Sequence, residues 1–158
     1  MYWYTIAKLT GSGFVHYEIS NFARPGNASR HNLIYWRNED YLGLGPGAHS
    51  KIAGVRFNNV EKVESYINEL AHRQLPVKER KEMTRTEEIS DTVFLALRLS
   101  EGLDLTAFEK KFGLSFLDQF GHRLPKLVET GLVKIEENSL KLTEKGLPVA
   151  NEVFAEFI

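Results

Sequence analysis

The chain has 158 residues, 42% hydrophobic and 26% charged, with a formal net charge of −1. That composition suits one soluble domain or two small ones; no apolar run reaches bilayer-spanning length and the start is not a signal peptide, so a cytoplasmic protein is expected. There is no cysteine, which excludes disulfides, thiolate metal sites, iron–sulfur ligands and cysteine nucleophiles within this chain.

Taken in chain order, residues 1–10 have helical spacing, with Ile6 and Leu9 three apart and Gly11 and Gly13 as stops. The aromatic and β-branched run "FVHYEIS" predicts a strand. A helix, a glycine turn and a strand make half of a βα repeat, which implies a parallel sheet. Residues 22–32 hold Pro-Gly and Asn and read as a loop. In residues 41–57, glycines at 43, 45 and 47 break any helix and suit a backbone lying against something flat or bulky. Val60, Val63, Tyr66, Ile67, Leu70 and Ala71 then recur at helical spacing. Pro76 and the charged "VKERKE" read as a domain boundary.

The second half predicts three helices, a hairpin and a closing helix. Thr84 and Glu87 form a capping box for a helix whose face is Ile89, Val93, Phe94 and Leu97. Asp104 caps a short second helix, ended by Gly113. Ser115 caps a third, carrying Leu117, Phe120, Leu124, Leu127 and Val128, with a kink at Pro125. "LVKIEENSLKLT" is a hairpin turning at Glu136–Ser139, and Thr143 opens a last helix through Val153, Phe154 and Phe157. This order of elements is that of a winged helix. Residues 81–158 nevertheless carry ten Lys/Arg against fourteen Asp/Glu, whereas residues 1–80 carry ten against seven. The acidic half lacks the basic footprint of a nucleic-acid module, so a packing or lid role is favoured and no nucleic-acid partner is expected.

The chemistry-bearing residues cluster in "SRHNLIYWRNEDYLGLGPGAHS", residues 29–50. A neutral His31 imidazole can ligate a haem iron, with its other nitrogen held by a neighbour. Tyr35 and Trp36 can supply flat apolar walls, and Asn32 can hold the loop or the ligand. The alternative is that His31 and Asn32 form a turn and the two aromatics are core. The run Gly43, Gly45, Gly47 is neither a dinucleotide nor a phosphate-loop pattern; it lets main chain approach a ligand, or it is a tight strand bend. Ala48, His49 and Ser50 follow it as weaker candidates. The five histidines show no metal-ligand spacing. Glu18 and Ser20 lie at a strand end, the functional rim in a β/α barrel, though such residues are more often structural. No nucleophile–base–acid set is evident.

At "HYEISNFARPG", "RHNLIYW" and "YLGLGPGAHS" the sequence resembles the oxygen-independent coproporphyrinogen III oxidase-like radical SAM proteins, and within them the haem-chaperone branch. The resemblance covers nearly the whole chain. It implies an α/β plus α architecture: a truncated radical SAM β/α barrel in residues 1–57, a helix and linker in 58–80, and a winged-helix-like C-terminal domain in 81–158. His31, Asn32, Tyr35 and Trp36 match the haem-binding signature of that branch, with His31 at the haem iron. Gly43, Gly45, Gly47, Ala48 and Ser50 are then proximal to S-adenosylmethionine or porphyrin. Full-length members bind S-adenosylmethionine and a [4Fe–4S] cluster through three amino-terminal cysteines that this chain lacks, so no catalytic residue is assigned to it. Members often have Cys where this chain has Ser29. The implied function is haem binding and delivery to an acceptor protein; the alternative is a portion of an oxidase that decarboxylates coproporphyrinogen III. An open sheet edge left by absent strands would allow a homodimer.

Overall fold

A computed structural model describes residues 1–158. The fold is mixed α/β and divides into two compact units, residues 1–38 with 89–158, and residues 39–88.

In the first unit, α1 (Tyr2–Thr10) leads into β1 (Val15–Glu18) and β2 (Asn21–Ala23). The expected parallel sheet is corrected here: β1 and β2 pair antiparallel. Only Ile19 and Ser20 separate them, and a parallel pair needs a crossover of a dozen or more residues. The expected loop at 22–32 is also shorter than read, because β2 occupies its start and α2 (Arg30–Trp36) its end.

The apolar core lies in residues 89–157 of this unit. α4 (Arg85–Ala96) opens at the expected capping box: Glu87 accepts from the Thr84 N–H at 2.9 Å and Thr84 Oγ1 accepts from the Glu87 N–H at 3.2 Å. It buries Ile89, Val93 and Ala96. β6 (Leu103–Asp104) precedes α5 (Leu105–Phe112), where Asp104 accepts from the Ala107 N–H at 3.0 Å, and Gly113 ends the helix at φ 65°. The expected third helix is two: α6 (Phe116–Phe120) and α7 (Leu124–Glu129), joined by a 3₁₀ turn at Gly121–Arg123. Pro125 sits in the first turn of α7, where its missing N–H is harmless, so it starts a helix and does not kink one. The break changes the buried face. Phe116, Phe120, Leu124 and Leu127 are inside, while the expected core residues Leu117 and Val128 are exposed.

β7 (Val133–Glu136) and β8 (Ser139–Leu142) form the expected hairpin. Its turn residues Glu137 and Asn138 both have positive φ, 49° and 62°, the primed geometry that matches strand twist. β6 adds to β8, giving the strand order β6-β8-β7. The last helix starts later than Thr143. Thr143 Oγ1 accepts from the Gly146 N–H at 3.1 Å, closing a tight turn, and α8 runs only from Ala150 to Ala155. Phe108, Phe112, Phe116, Phe120 and Phe157 pack ring to ring at 4.9–6.0 Å. Each such ring brings a large apolar area and edge-to-face contacts.

The second unit holds β3 (His49–Ile52), β4 (Val55–Asn59), α3 (Val63–Ala71) and β5 (Val77–Glu82). The sheet order is β3-β4-β5, all antiparallel. The β3–β4 turn uses Ala53 and Gly54 at φ 49° and 75°. "VKERKE", expected as a linker, is β5. Its charges suit an edge strand with both faces wet, and an alternation rule tuned to apolar residues does not register it.

Candidate functional site

α2 is placed by Ser29, whose extended backbone (φ −62°, ψ 106°) and side-chain oxygen, accepting from the Asn32 N–H at 3.3 Å, start the helix. Ser29 is thus a helix cap. Helical spacing puts His31 and Tyr35 one turn apart on one face. Their rings meet edge-on with centroids 4.8 Å apart, and Tyr35 Oη lies 3.0 Å from His31 Nε2. His31 is exposed; Asn32, Tyr35 and Trp36 are half-buried. When the imidazole donates from Nε2 to the Tyr35 oxygen, the ring's free lone pair sits on Nδ1. A metal-ligating histidine characteristically has its second nitrogen held in this way.

Trp36 is fixed by residues distant in sequence. The Arg98 guanidinium lies over its ring, 4.4 Å from the centroid. Arg98 in turn donates from Nε (3.0 Å) and Nη2 (2.7 Å) to Glu18 Oε1. Glu18 is fully buried, and its other oxygen accepts from the Ser20 N–H (3.0 Å) and from Asn21 Nδ2 (2.6 Å). The Trp36 indole N–H is buried and unpartnered. Strand-end Glu18 is therefore an internal anchor and not an open rim carboxylate. Burial, and after it the Glu18 charge, push the nearby Tyr2 phenol above its ordinary value. The main chain ties the same residues together: the Ile19 N–H donates to Arg98 O and the Ser100 N–H to Tyr17 O, each at 3.1 Å. Arg98 also lines a cleft of about 430 Å³ with Ile19 and residues 147–152, a cleft that His31 and Tyr35 do not line.

The glycine segment belongs to the second unit, and its polar atoms are engaged by its own neighbours. Gly43 N–H donates to Ser50 Oγ at 3.0 Å, and Gly45 N–H to Tyr66 Oη at 3.1 Å. Asn59 Nδ2 donates to Gly43 O (3.3 Å) and Gly45 O (2.9 Å). A Cβ at Gly43 would lie 2.2 Å from His49 O, so this glycine serves a close approach of main chain to main chain. Gly45 and Gly47 have φ of 106° and 67°, which glycine alone adopts readily. Ser50 is buried, Ala48 half-buried and His49 exposed. Sequence reasoning missed Arg98, Asn59 and Tyr66, none of which lies in a motif; only the pairing of a buried Glu18 with some cation was foreseeable, because such a charge requires a partner.

The chain as a whole is similar to known proteins. A family profile described as "HemN C-terminal domain" matches residues 83–149. The chain is 40% identical over 158 residues to "Heme chaperone HemW" of Bacillus subtilis, covering all of this chain and 42% of that protein. It is 34% identical over 161 residues to the protein of the same name in Lactococcus lactis, covering all of this chain and 41% of the relative. A solved structure described as "Coproporphyrinogen III oxidase (HemN) from Escherichia coli is a Radical SAM enzyme" superposes with a TM-score of 0.73 at 25% identity, over 98% of this chain and 39% of that one. Residues 83–149 belong to the HemN C-terminal domain family, and the chain along its whole length is similar to heme chaperones and to a radical SAM coproporphyrinogen III oxidase. It spans about two fifths of the length of the relatives it matches. Within the family, the profile covers α4 through the turn before α8, so the helices and hairpin of residues 83–149 are a family domain. Nothing in these matches supports a nucleic-acid module. No helix is long and apolar enough to cross a membrane.

Proposed function

We propose that the chain is the haem-contacting part of a radical SAM haem chaperone, with haem as cargo and an acceptor protein as its destination. The observation that carries this reading is the exposed His31, whose Nε2 lies 3.0 Å from Tyr35 Oη. The 40% identity to a heme chaperone along the entire chain supports it. In this reading His31 Nδ1 approaches the iron, Tyr35 orients the ring, and Asn32 and Trp36 complete the contact surface. Trp36 contributes the part of its ring that Arg98 leaves uncovered. Gly43, Gly45, Gly47, Ala48 and Ser50 shape the main chain near porphyrin or S-adenosylmethionine, with the Ser50 hydroxyl acting through Gly43. The cluster and S-adenosylmethionine are assigned to the longer relatives, since this chain holds no cysteine. In this reading residues 1–57 derive from the family barrel and 81–158 are a winged-helix-like domain, while 58–80 supply the end of β4, α3 and most of β5; the structural match to the Escherichia coli oxidase supports the family fold. A homodimer would form at a sheet edge other than β5, whose charges oppose pairing.

Haem titration followed by absorbance tests the reading. A Soret shift for the native chain, lost in His31→Ala, is expected; a shift unchanged by that substitution removes His31. Tyr35→Phe is expected to weaken binding about tenfold, the usual scale for losing the partner of a ligating histidine. The structural likeness to an oxidase favours a second reading, oxidative decarboxylation of coproporphyrinogen III by the intact protein. Product formation in an anaerobic assay of the full-length protein would select it.

A further inference from the structure

We infer that Glu18 and Arg98 are positioning residues for Trp36, a buried-charge clamp that fixes the indole at the end of the helix presenting His31. The inference rests on the haem-contact reading for its purpose, but its geometry stands independently. Trp36 is the last residue of α2, and its ring orientation decides what surface the helix end presents. Helix propensity does not fix that orientation; a flat cation stacked at 4.4 Å does. A guanidinium on a long stem would sample several rotamers without a second constraint. Glu18 supplies it with two donated hydrogen bonds at 3.0 and 2.7 Å, a geometry suited to the guanidinium fork. Glu18 is itself locked by Ser20 and Asn21 in the tight connection between β1 and β2. The sequence stretch "EISN" thus acts on the "HNLIYW" helix through one arginine 80 residues downstream of Glu18.

The unpartnered indole N–H is the second sign that orientation is imposed. A buried Trp usually turns its N–H to an acceptor, yet here the ring is held with that group unpaired. Stacking against Arg98, and not hydrogen bonding, sets the ring.

Arg98→Lys separates the two roles of the arginine. Lysine keeps the charge beside Glu18 and so protects the fold, but it has no plane to lay on an indole. The experiment uses the full chain in a Trp3→Phe background, so that emission comes from Trp36, the other of the two tryptophans. Emission maximum, acrylamide quenching and haem titration are compared for the parent, Arg98→Lys and Glu18→Gln, with thermal unfolding as a fold control. The expected result is a red shift with stronger quenching in Arg98→Lys at near-parental unfolding temperature, and about tenfold weaker haem binding. Glu18→Gln keeps an acceptor but loses the charge pair, and should fall between the two. Trp36 emission and quenching identical in the parent and a folded Arg98→Lys would overturn the inference. If the parent gives no Soret shift, the haem reading fails while Trp36 emission still decides the clamp.

Discussion

A methyl group at position 43 would sit 2.2 Å from the carbonyl oxygen of His49. Gly43→Ala must therefore push two strands of main chain apart, and is expected to cost about 1–3 kcal/mol, read by denaturant unfolding. At Gly45 the neighbourhood is open but φ is 106°, so Gly45→Ala acts through backbone strain alone, on the order of 1–3 kcal/mol. Breaking the Glu18–Arg98 pair is a different case. Arg98→Leu leaves a fully buried carboxylate without its cation and should destabilise the first unit by about 3–5 kcal/mol. Glu87 gives a pH-dependent counterpart. A hydrogen bond from Lys81, then those from the Thr84 N–H and hydroxyl, pull its carboxyl from 4.5 down to about 2. The folded value lies below the unfolded one, so its contribution is complete above pH 4.5 and fades as pH falls toward 2. Unfolding midpoints should drop across that window, and the drop should shrink in Glu87→Gln.

At the scale of elements, α2 depends on its start. It has seven residues and none fully buried, too short to hold by propensity alone. Ser29→Ala is expected to lower its local stability by about 1 kcal/mol, seen as faster hydrogen exchange at Asn32 and its helical neighbours. This helix marks where legibility ended. Pro25 and Gly26 just upstream draw residues 22–32, and with them the first turn of α2, into a loop reading. The caps at Thr84, Asp104 and Ser115 and the hairpin around Glu137 were legible because each is a local rule satisfied within four residues. The pairing of β1 with β2, the strand β5 and the break at Gly121 were not, because each is decided by partners outside its own window. At the site, His31, Tyr35 and Trp36 stand out by residue type; the His31–Tyr35 contact does not, because it needs the helix α2, nor does the covering of Trp36, because Arg98 comes from the turn after α4.

At the scale of the molecule, apolar burial is unequal. Every buried hydrophobic residue of the core lies between Ile89 and Phe157, whereas the buried residues of the second unit include the polar Ser50, Lys51 and Asn59. A unit held by ladders and polar contacts opens at lower free energy than one with an aromatic core. Hydrogen exchange is expected to reach β3, β4 and β5 before Val93, Leu97 and Leu140; equal protection in both would contradict this. The composition has a chemical corollary as well. An iron porphyrin in air generates peroxide, which attacks sulfur first, and cysteine climbs irreversibly to sulfinic and sulfonic acids. The helix carrying His31 begins at a hydroxyl, in a chain with no thiol and two methionines. If haem is the cargo, as proposed above, that anchoring survives an oxidant that would chemically erode a cysteine in the same place.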